Sequence, residues 1–296
     1  MSHRQVRIVD VFTEKPLAGN QLAVVLDGSD LSPRTMQRIA REMNFSETTF
    51  VLPPQHAAHA AKVRIFTPYT ELPFAGHPTI GTAWVLATEG LARGDEFVLE
   101  EQVGPVKVRF GREDGGSLVW MTHPPLQLGQ VFPHKRVATT IGVAEDAIVH
   151  DVPAQLASTG TPFLFVTLRD AGVVDSASPD PARVRKLLKG SGAHGVFLVA
   201  AHGDGKLYSR MFAVDVPEDP ATGSASGPLG AYVVKYGLVH REPRVSIVSE
   251  QGTKMGRQSF VHIELTYGDS RDIPDRIEVG GGVMPVLSGT LSDLVE

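Results

Sequence analysis

Apolar and polar positions alternate over residues 5–11, in a stretch rich in β-branched side chains, and this pattern predicts a strand. Residues 21–26 (QLAVVL) are a continuous apolar run, consistent with a buried strand. Ser32-Pro33 then opens a helix, with Ser32 as N-cap and Pro33 at the first helical position. Met36, Ile39, Ala40 and Met43 give that helix one apolar face, and the pattern stops near Asn44. Strands follow at residues 48–52 and 62–66. Residues 73–78 read as a loop. Residues 79–87 (TIGTAWVLA) read as a helix that is apolar or small nearly all round, which implies burial on every side. Three alternating segments, 96–101, 105–110 and 117–122, are separated by turns rich in Gly and Asp.

His123-Pro124-Pro125 breaks the pattern and reads as a linker. Beyond it, residues 163–168 (FLFVTL) form a buried strand, and a helix spans 181–189 with Asp180 as N-cap. Strands are expected at 196–200 and 207–213. A second small and apolar stretch, 223–234, resembles another buried helix. Strands at 245–248 and 260–265 precede a glycine-rich tail.

The two halves look like a repeat. ELPFAGH at residues 71–77 matches EDPATGS at 218–224, with Glu, Pro and Gly in common. GNQLAVV at 19–25 matches GTPFLFV at 160–166. Each member of the first pair follows a strand and precedes an all-round apolar helix. Agreement in order, context and spacing points to a duplicated two-domain fold. The duplication would place two glycine-bearing helix N-termini in equivalent positions. Free N–H groups and the partial positive charge there suit a small carboxylate. The plainer alternative is that His77 and Ser224 merely cap their helices.

Composition narrows the function. The 296 residues carry a formal charge of −5 and no long run of Lys or Arg, so the footprint of a nucleic-acid binder is missing. No apolar stretch approaches the roughly 18 residues of a membrane span. The first residues lead straight into a strand without a signal-like core, so the expected location is the cytoplasm. The chain has no cysteine, which excludes disulfides, thiolate metal sites and thiol nucleophiles.

Several motifs fail their context. GSGAHG at 190–195 matches G-x-G-x-x-G but follows a helix and precedes a strand, the reverse of the dinucleotide-binding order. No P-loop and no G-x-S-x-G elbow are present. His56 and His59 lack the accompanying motif of a zinc hydrolase, and no metal site is expected. Three groups remain. Glu47 enters a strand that reads as buried, where desolvation would move its pKa toward acid/base work; the alternative is an exposed glutamate. Asp219 precedes the second apolar helix, where a carboxylate also has a structural use. His77 lies in the repeated loop and has a proton affinity suited to transfer or to an electrophilic hydrogen bond.

Four segments, DVFTEKPLAGNQLAVV at 10–25, NFSETTFV at 44–51, FTPYTELPFAGHPTIGTA at 66–83 and DPATGSASGPLGAY at 219–232, together resemble the phenazine-biosynthesis PhzF-like family, which shares its fold with diaminopimelate epimerase. The resemblance covers essentially the whole chain. It implies an α/β (α+β) fold of two pseudo-symmetric domains, each a barrel-like, mainly antiparallel sheet wrapped around a central helix, with the active site in the cleft between them. The expected domains are residues 1–124 with the tail 283–296, and residues 125–282. Carried over by motif, Glu47 is the catalytic acid/base and His77 and Asp219 are its active-site partners. Ser46, Gly76, Pro78, Thr222, Gly223 and Ser224 are implied substrate contacts.

The related epimerases use one cysteine from each half. Here the corresponding loops read PFAGHP and PATGSA, so that mechanism is impossible for this chain. The resemblance therefore implies a cofactor-independent isomerase acting on a small cyclic or unsaturated carboxylic acid, dihydro-hydroxyanthranilate-like, by a Glu-mediated proton shift. It also implies a homodimer, with no metal and no organic cofactor. The other readings are a non-catalytic binder or sensor of small carboxylates, and an epimerase with non-thiol bases.

Overall fold

The alternating segment near the start of the chain becomes β1 (Arg4–Val11), which pairs antiparallel with β2 (Asn20–Val25). These and all following elements come from a computed structural model that describes residues 4–113, 116–214, 218–268 and 272–292. Residues 1–3 and 293–296, which fall in the expected first domain, lie outside the described residues. In sequence order the remaining elements before residue 123 are α1 (Pro33–Met43), β3 (Glu47–Leu52), β4 (Ala61–Phe66), β5 (Glu71–Leu72), α2 (Gly76–Thr88), β6 (Glu96–Glu101), β7 (Gly104–Glu113) and β8 (Gly116–Thr122). Then come β9 (Gln127–Phe132), α3 (His134–Ile141), β10 (Ala154–Ser158), β11 (Pro162–Thr167), α4 (Ala171–Ser176), α5 (Pro181–Leu188), β12 (Gly195–Ala201) and β13 (Lys206–Ala213). The chain ends with α6 (Gly223–Lys235), β14 (Arg244–Gln251), β15 (Ser259–Thr266), β16 (Arg276–Gly281) and β17 (Val283–Leu291).

Two compact units result. One holds the described residues up to Thr122 together with those from Gly280 onward, and the other is His123–Val279. In the first, β17 pairs antiparallel with β1, so the expected glycine-rich tail is in fact a strand. Its preceding glycines are there for space. A Cβ on Gly280 would lie 2.4 Å from the Trp120 ring, and one on Gly281 2.3 Å from the Phe12 ring.

Both units repeat one pairing order. In the first, β1–β2 is antiparallel, β2–β3 parallel, β3–β4 antiparallel and β4–β6 parallel. In the second, β10–β11, β11–β12, β12–β13 and β13–β14 follow the same alternation. Each parallel step needs a crossover long enough for a helix. The first crossover carries α1 in one unit and α4 with α5 in the other. The next carries α2 and α6, the two all-round apolar helices. The sheet of each unit wraps its helix: α2 packs on β1, β2, β3, β8 and β17, and α6 on β10, β11 and β15. Both helices are buried along nearly their whole length.

The local signals explain the ends. Ser32 Oγ accepts from Thr35 N–H at 3.1 Å, and Asn44 stops α1 in the left-handed region at φ 53°. Asp180 caps α5 through Arg183 N–H at 2.8 Å. One expectation needs correction. α2 begins at Gly76, inside the segment read as a loop, and Pro78 sits in its first turn. A proline costs nothing there, because first-turn N–H groups have no partner within the helix.

The central helices approach their sheets through glycines. A Cβ on Gly81 of α2 would meet Leu22 Cδ2 at 2.6 Å and Val11 Cγ2 at 2.8 Å. One on Gly230 of α6 would meet Ile263 Cγ2 at 2.7 Å. Valine and isoleucine are stiff at χ1 and cannot swing aside freely. Gly81→Ala is therefore expected to lower stability by about 1–3 kcal/mol, measured by urea unfolding, despite the higher helix propensity of alanine.

Candidate functional site

The repeated motif has a physical basis that spacing alone did not reveal. Arg64 on β4 donates Nε and Nη2 to the two carboxylate oxygens of Glu71, both at 2.7 Å. Arg210 on β13 does the same to Glu218, both at 2.8 Å. Arg64 also lies 5.1 Å from the ring centroid of Phe66, and Arg210 4.7 Å from that of Phe212. Each fork ties the segment before a central helix back to the preceding strand. A bidentate pair fixes direction as well as distance. The two helix N-termini are thus anchored alike, by residues that the sequence reading did not single out.

In the first unit, β3 and α2 bring Glu47 and His77 together. Glu47 is the first residue of β3 and His77 the second of α2. His77 Nε2 lies 3.4 Å from Glu47 Oε2, and the side chains are 5% and 16% exposed. β3 pairs in parallel with β2, with Leu22 opposite Glu47. The neighbouring residue on β2, Gln21, supplies a backbone hydrogen bond to the His77 ring. Nε2 takes no part in a hydrogen bond, so that bond leaves from Nδ1. A ring N–H given to a backbone carbonyl puts the proton on Nδ1 and leaves a lone pair on Nε2, facing Glu47.

Burial reinforces this state. Desolvation pushes the His77 pKa down to about 3, and the Gln21 bond opposes it only in part. His77 is therefore neutral across physiological pH. Its folded pKa lies below that of an unfolded histidine, near 6.5, so the unfolded chain binds more protons between those two values. This contribution to stability is present above about pH 6.5 and is lost as pH falls toward 3. Nitrogen-15 NMR of the histidine rings should show His77 as the Nδ1–H tautomer down to about pH 4. Protonation near pH 6.5 would contradict the assignment.

Ser46 adjoins Glu47, and Gly76 and Pro78 flank His77 in the buried first turn of α2. The N-cap of α2 is Ala75, with no side-chain cap, so His77 is not a capping residue. In the second unit, Asp219, Thr222, Gly223 and Ser224 gather at the start of α6. Thr222 Oγ1 donates to Asp219 Oδ2 at 2.6 Å, and Asp219 N–H donates to the Met211 carbonyl at 3.0 Å. Gln251 holds this turn from behind: its Nε2 donates to the Asp219 carbonyl at 2.7 Å and to Thr222 Oγ1 at 3.0 Å. Its Oε1 accepts from Thr222 N–H at 3.2 Å. Gly223 and Ser224 are the first two residues of α6, and Thr222 makes no side-chain cap. A strand-end glutamine of this kind carries no motif, and only the three-dimensional repeat picks it out.

Among the described residues no cluster of three or more His, Asp or Glu could hold a metal ion, and no helix is long and apolar enough to cross a membrane. His56 and His59 serve another purpose. Glu100 accepts from Gln55 N–H, His56 N–H and His59 Nδ1 at 2.7 to 2.9 Å.

Residues 9–289 match the model of a family described as phenazine biosynthesis-like protein. The trans-2,3-dihydro-3-hydroxyanthranilate isomerase of Pseudomonas chlororaphis is 33% identical over 288 residues, which cover 96% of this chain and 98% of that one. A solved structure from Bacillus anthracis, described as a phenazine biosynthesis protein of the PhzF family, has a TM-score of 0.88 at 26% identity and covers 99% of this chain and 100% of that one. A hydroxyproline epimerase from Agrobacterium vitis has a TM-score of 0.68 at 16% identity, covering 98% and 93%. At that identity the likeness concerns the fold alone. The expected architecture, two pseudo-symmetric sheets each around a central helix, is the one found.

Proposed function

Because the chain belongs to the phenazine biosynthesis-like protein family, we propose that it is an isomerase of a small cyclic or unsaturated carboxylic acid, of the dihydro-hydroxyanthranilate type, and that Glu47 moves the proton. The observation that carries this reading is the Glu47–His77 pair: a carboxylate 3.4 Å from an imidazole nitrogen whose lone pair faces it. Glu47 as carboxylate takes a proton from carbon next to a conjugated or electron-withdrawing group. The bonding electrons shift along the conjugated system, and the carboxylic acid so formed returns its proton to another carbon. Atoms and charge balance without any co-reactant. Between the two steps neutral His77 can accept a hydrogen bond from the Glu47 acid, a bond that breaks when the proton passes to carbon. Such bonds are often long in the free enzyme and tighten in the complex. We assign Ser46, Gly76 and Pro78, and from the second unit Asp219, Thr222, Gly223 and Ser224, to substrate binding, on the strength of the matching helix N-termini.

The test uses trans-2,3-dihydro-3-hydroxyanthranilate as probe in deuterated buffer. Turnover that lacks inversion and leaves at most one deuteron in the product, at the carbon that receives the proton, supports the proposal. Tight binding with neither turnover nor exchange supports a carboxylate sensor instead. Inversion at a stereocentre supports an epimerase with a second base.

A further inference from the structure

Glu101, the last residue of β6, is 7% exposed and has no cationic partner. Its Oε1 lies 2.5 Å from Thr79 Oγ1 on α2, and its Oε2 is buried without a hydrogen-bond partner. Thr79 Oγ1 is also 2.8 Å from the carbonyl oxygen of Ala75, the N-cap of α2. The hydroxyl has one proton. If Glu101 were a carboxylate, both neighbours of Thr79 would be acceptors, and one of the two short contacts would have no proton in it. With a proton on Glu101 Oε1, the acid donates to Thr79 and Thr79 donates to Ala75, and both contacts are filled. The buried Oε2 is then a neutral carbonyl oxygen, far less costly to leave without a partner than a charged one.

The second unit carries an independent counterpart. Gln251 is likewise the last residue of the strand that follows the central helix, β14. Its amide donates to Thr222 Oγ1 at 3.0 Å and to the Asp219 carbonyl at 2.7 Å, and Ser226 Oγ donates to the Thr222 carbonyl at 2.9 Å as Thr79 does to Ala75. A glutamine amide is a neutral donor by constitution. The two share the strand end and not the same partner, since Gln251 bonds the N-cap Thr222 and Glu101 bonds Thr79, the equivalent of Ser226; Glu101 can donate to its turn as that amide does only when protonated.

We infer that Glu101 works as a neutral acid and is the positioning residue that fixes the first turn of α2, and through it His77, for proton transfer. Burial acts in the same direction and pushes its pKa up to about 8, with the Thr79 bond opposing. Charged groups nearby do not intervene. Lys62 and Arg64 on β4, Glu96 and Glu100 on β6, and Lys107 and Arg109 on β7 alternate onto the opposite face of the sheet from Leu99 and Glu101. On α2 the ionisable residue is His77, which is neutral. Above its pKa, Glu101 would draw the Thr79 proton away from Ala75 and loosen the turn.

The catalytic consequence rests on the Glu47–His77 reading, whereas the protonation and the anchoring do not. Three measurements on the full chain separate them, with Glu101→Gln as the conservative variant and Glu101→Leu as the donor-free one. Infrared difference spectra near neutral pH should contain a protonated-carboxyl band that Glu101→Gln abolishes. Hydrogen-exchange protection of the amides of residues 76–82 should fall by about tenfold between neutral pH and about pH 9 in the wild type, and stay constant in Glu101→Gln. In turnover of trans-2,3-dihydro-3-hydroxyanthranilate, Glu101→Gln should keep kcat and lose the alkaline decline near pH 8, and Glu101→Leu should lose about tenfold in kcat with KM little changed. A missing carboxyl band, or the same pH dependence of protection in wild type and Glu101→Gln, overturns the inference. So does full turnover by Glu101→Leu. If the wild type turns nothing over while the band and the exchange behave as stated, the Glu47 reading fails and the Glu101 anchor stands.

Discussion

On the proposed reading, Glu47→Gln is expected to suppress isomerisation while leaving the fold as stable as the wild type. The rate loss expected from removing a placed acid/base is about 10²–10⁴. Orientation and hydrogen-bond donors stay in place, so binding of the probe changes little and the loss appears in kcat. Stability is spared for a physical reason. The imidazole beside Glu47 is neutral, held so by burial against the opposing Gln21 bond, so the neutral amide breaks no ion pair with His77. Any deuterium incorporation that wild-type turnover shows should disappear together with turnover. Turnover of Glu47→Gln within a few-fold of wild type would refute the assignment, and a large fall in unfolding free energy would show that the pair is ionic after all.

The second large effect falls on stability and on the other unit. Arg210 is 6% exposed, and besides its fork to Glu218 it donates Nη1 to the carbonyls of Val174, Asp175 and Ala177 at 3.0 to 3.2 Å. Arg210→Met leaves a mostly buried carboxylate and three carbonyls without their donor. The expected cost is about 3–5 kcal/mol, the range for breaking a buried pair from one side. The same change at Arg64 is a control within the chain. Its fork has the same geometry, but the two side chains are 21% and 31% exposed, so water replaces much of what is lost. Arg64→Met should cost about 1 kcal/mol. Urea unfolding of both variants decides the point: equal losses would mean that burial does not set the energy of these forks.

These forks also mark the limit of what the sequence discloses. The match of Glu71 with Glu218 was legible, and so were the two apolar helices, because a period and a shared Glu-x-Pro pattern are local. Their partners Arg64 and Arg210 stand seven and eight residues earlier on a strand, where nothing in the spacing marks a contact. Glu47 and His77 were recognised from their motifs, but their approach depends on parallel pairing of β2 with β3, a long-range event. The segment of residues 126–162 yielded no assignment. α3 is a short helix whose N-cap, Pro133, offers no side-chain bond, and β10 is five residues long. In both, tertiary packing supplies what local propensity does not. Glu101 stayed hidden for another reason. As the end of an alternating strand it looks like a solvated charge, and only its proton count and its glutamine counterpart reveal otherwise.

The pairing of β17 with β1 sets an order in time. During synthesis the residues of the second unit emerge before β17 does, so the second unit has its full set of strands while the first still lacks the partner of its leading strand. Until then β1 has β2 on one side and an open edge on the other, the kind of edge that recruits stray strands. The unit that carries Glu47 thus closes its sheet after the other has emerged, once residues 283–291 are made.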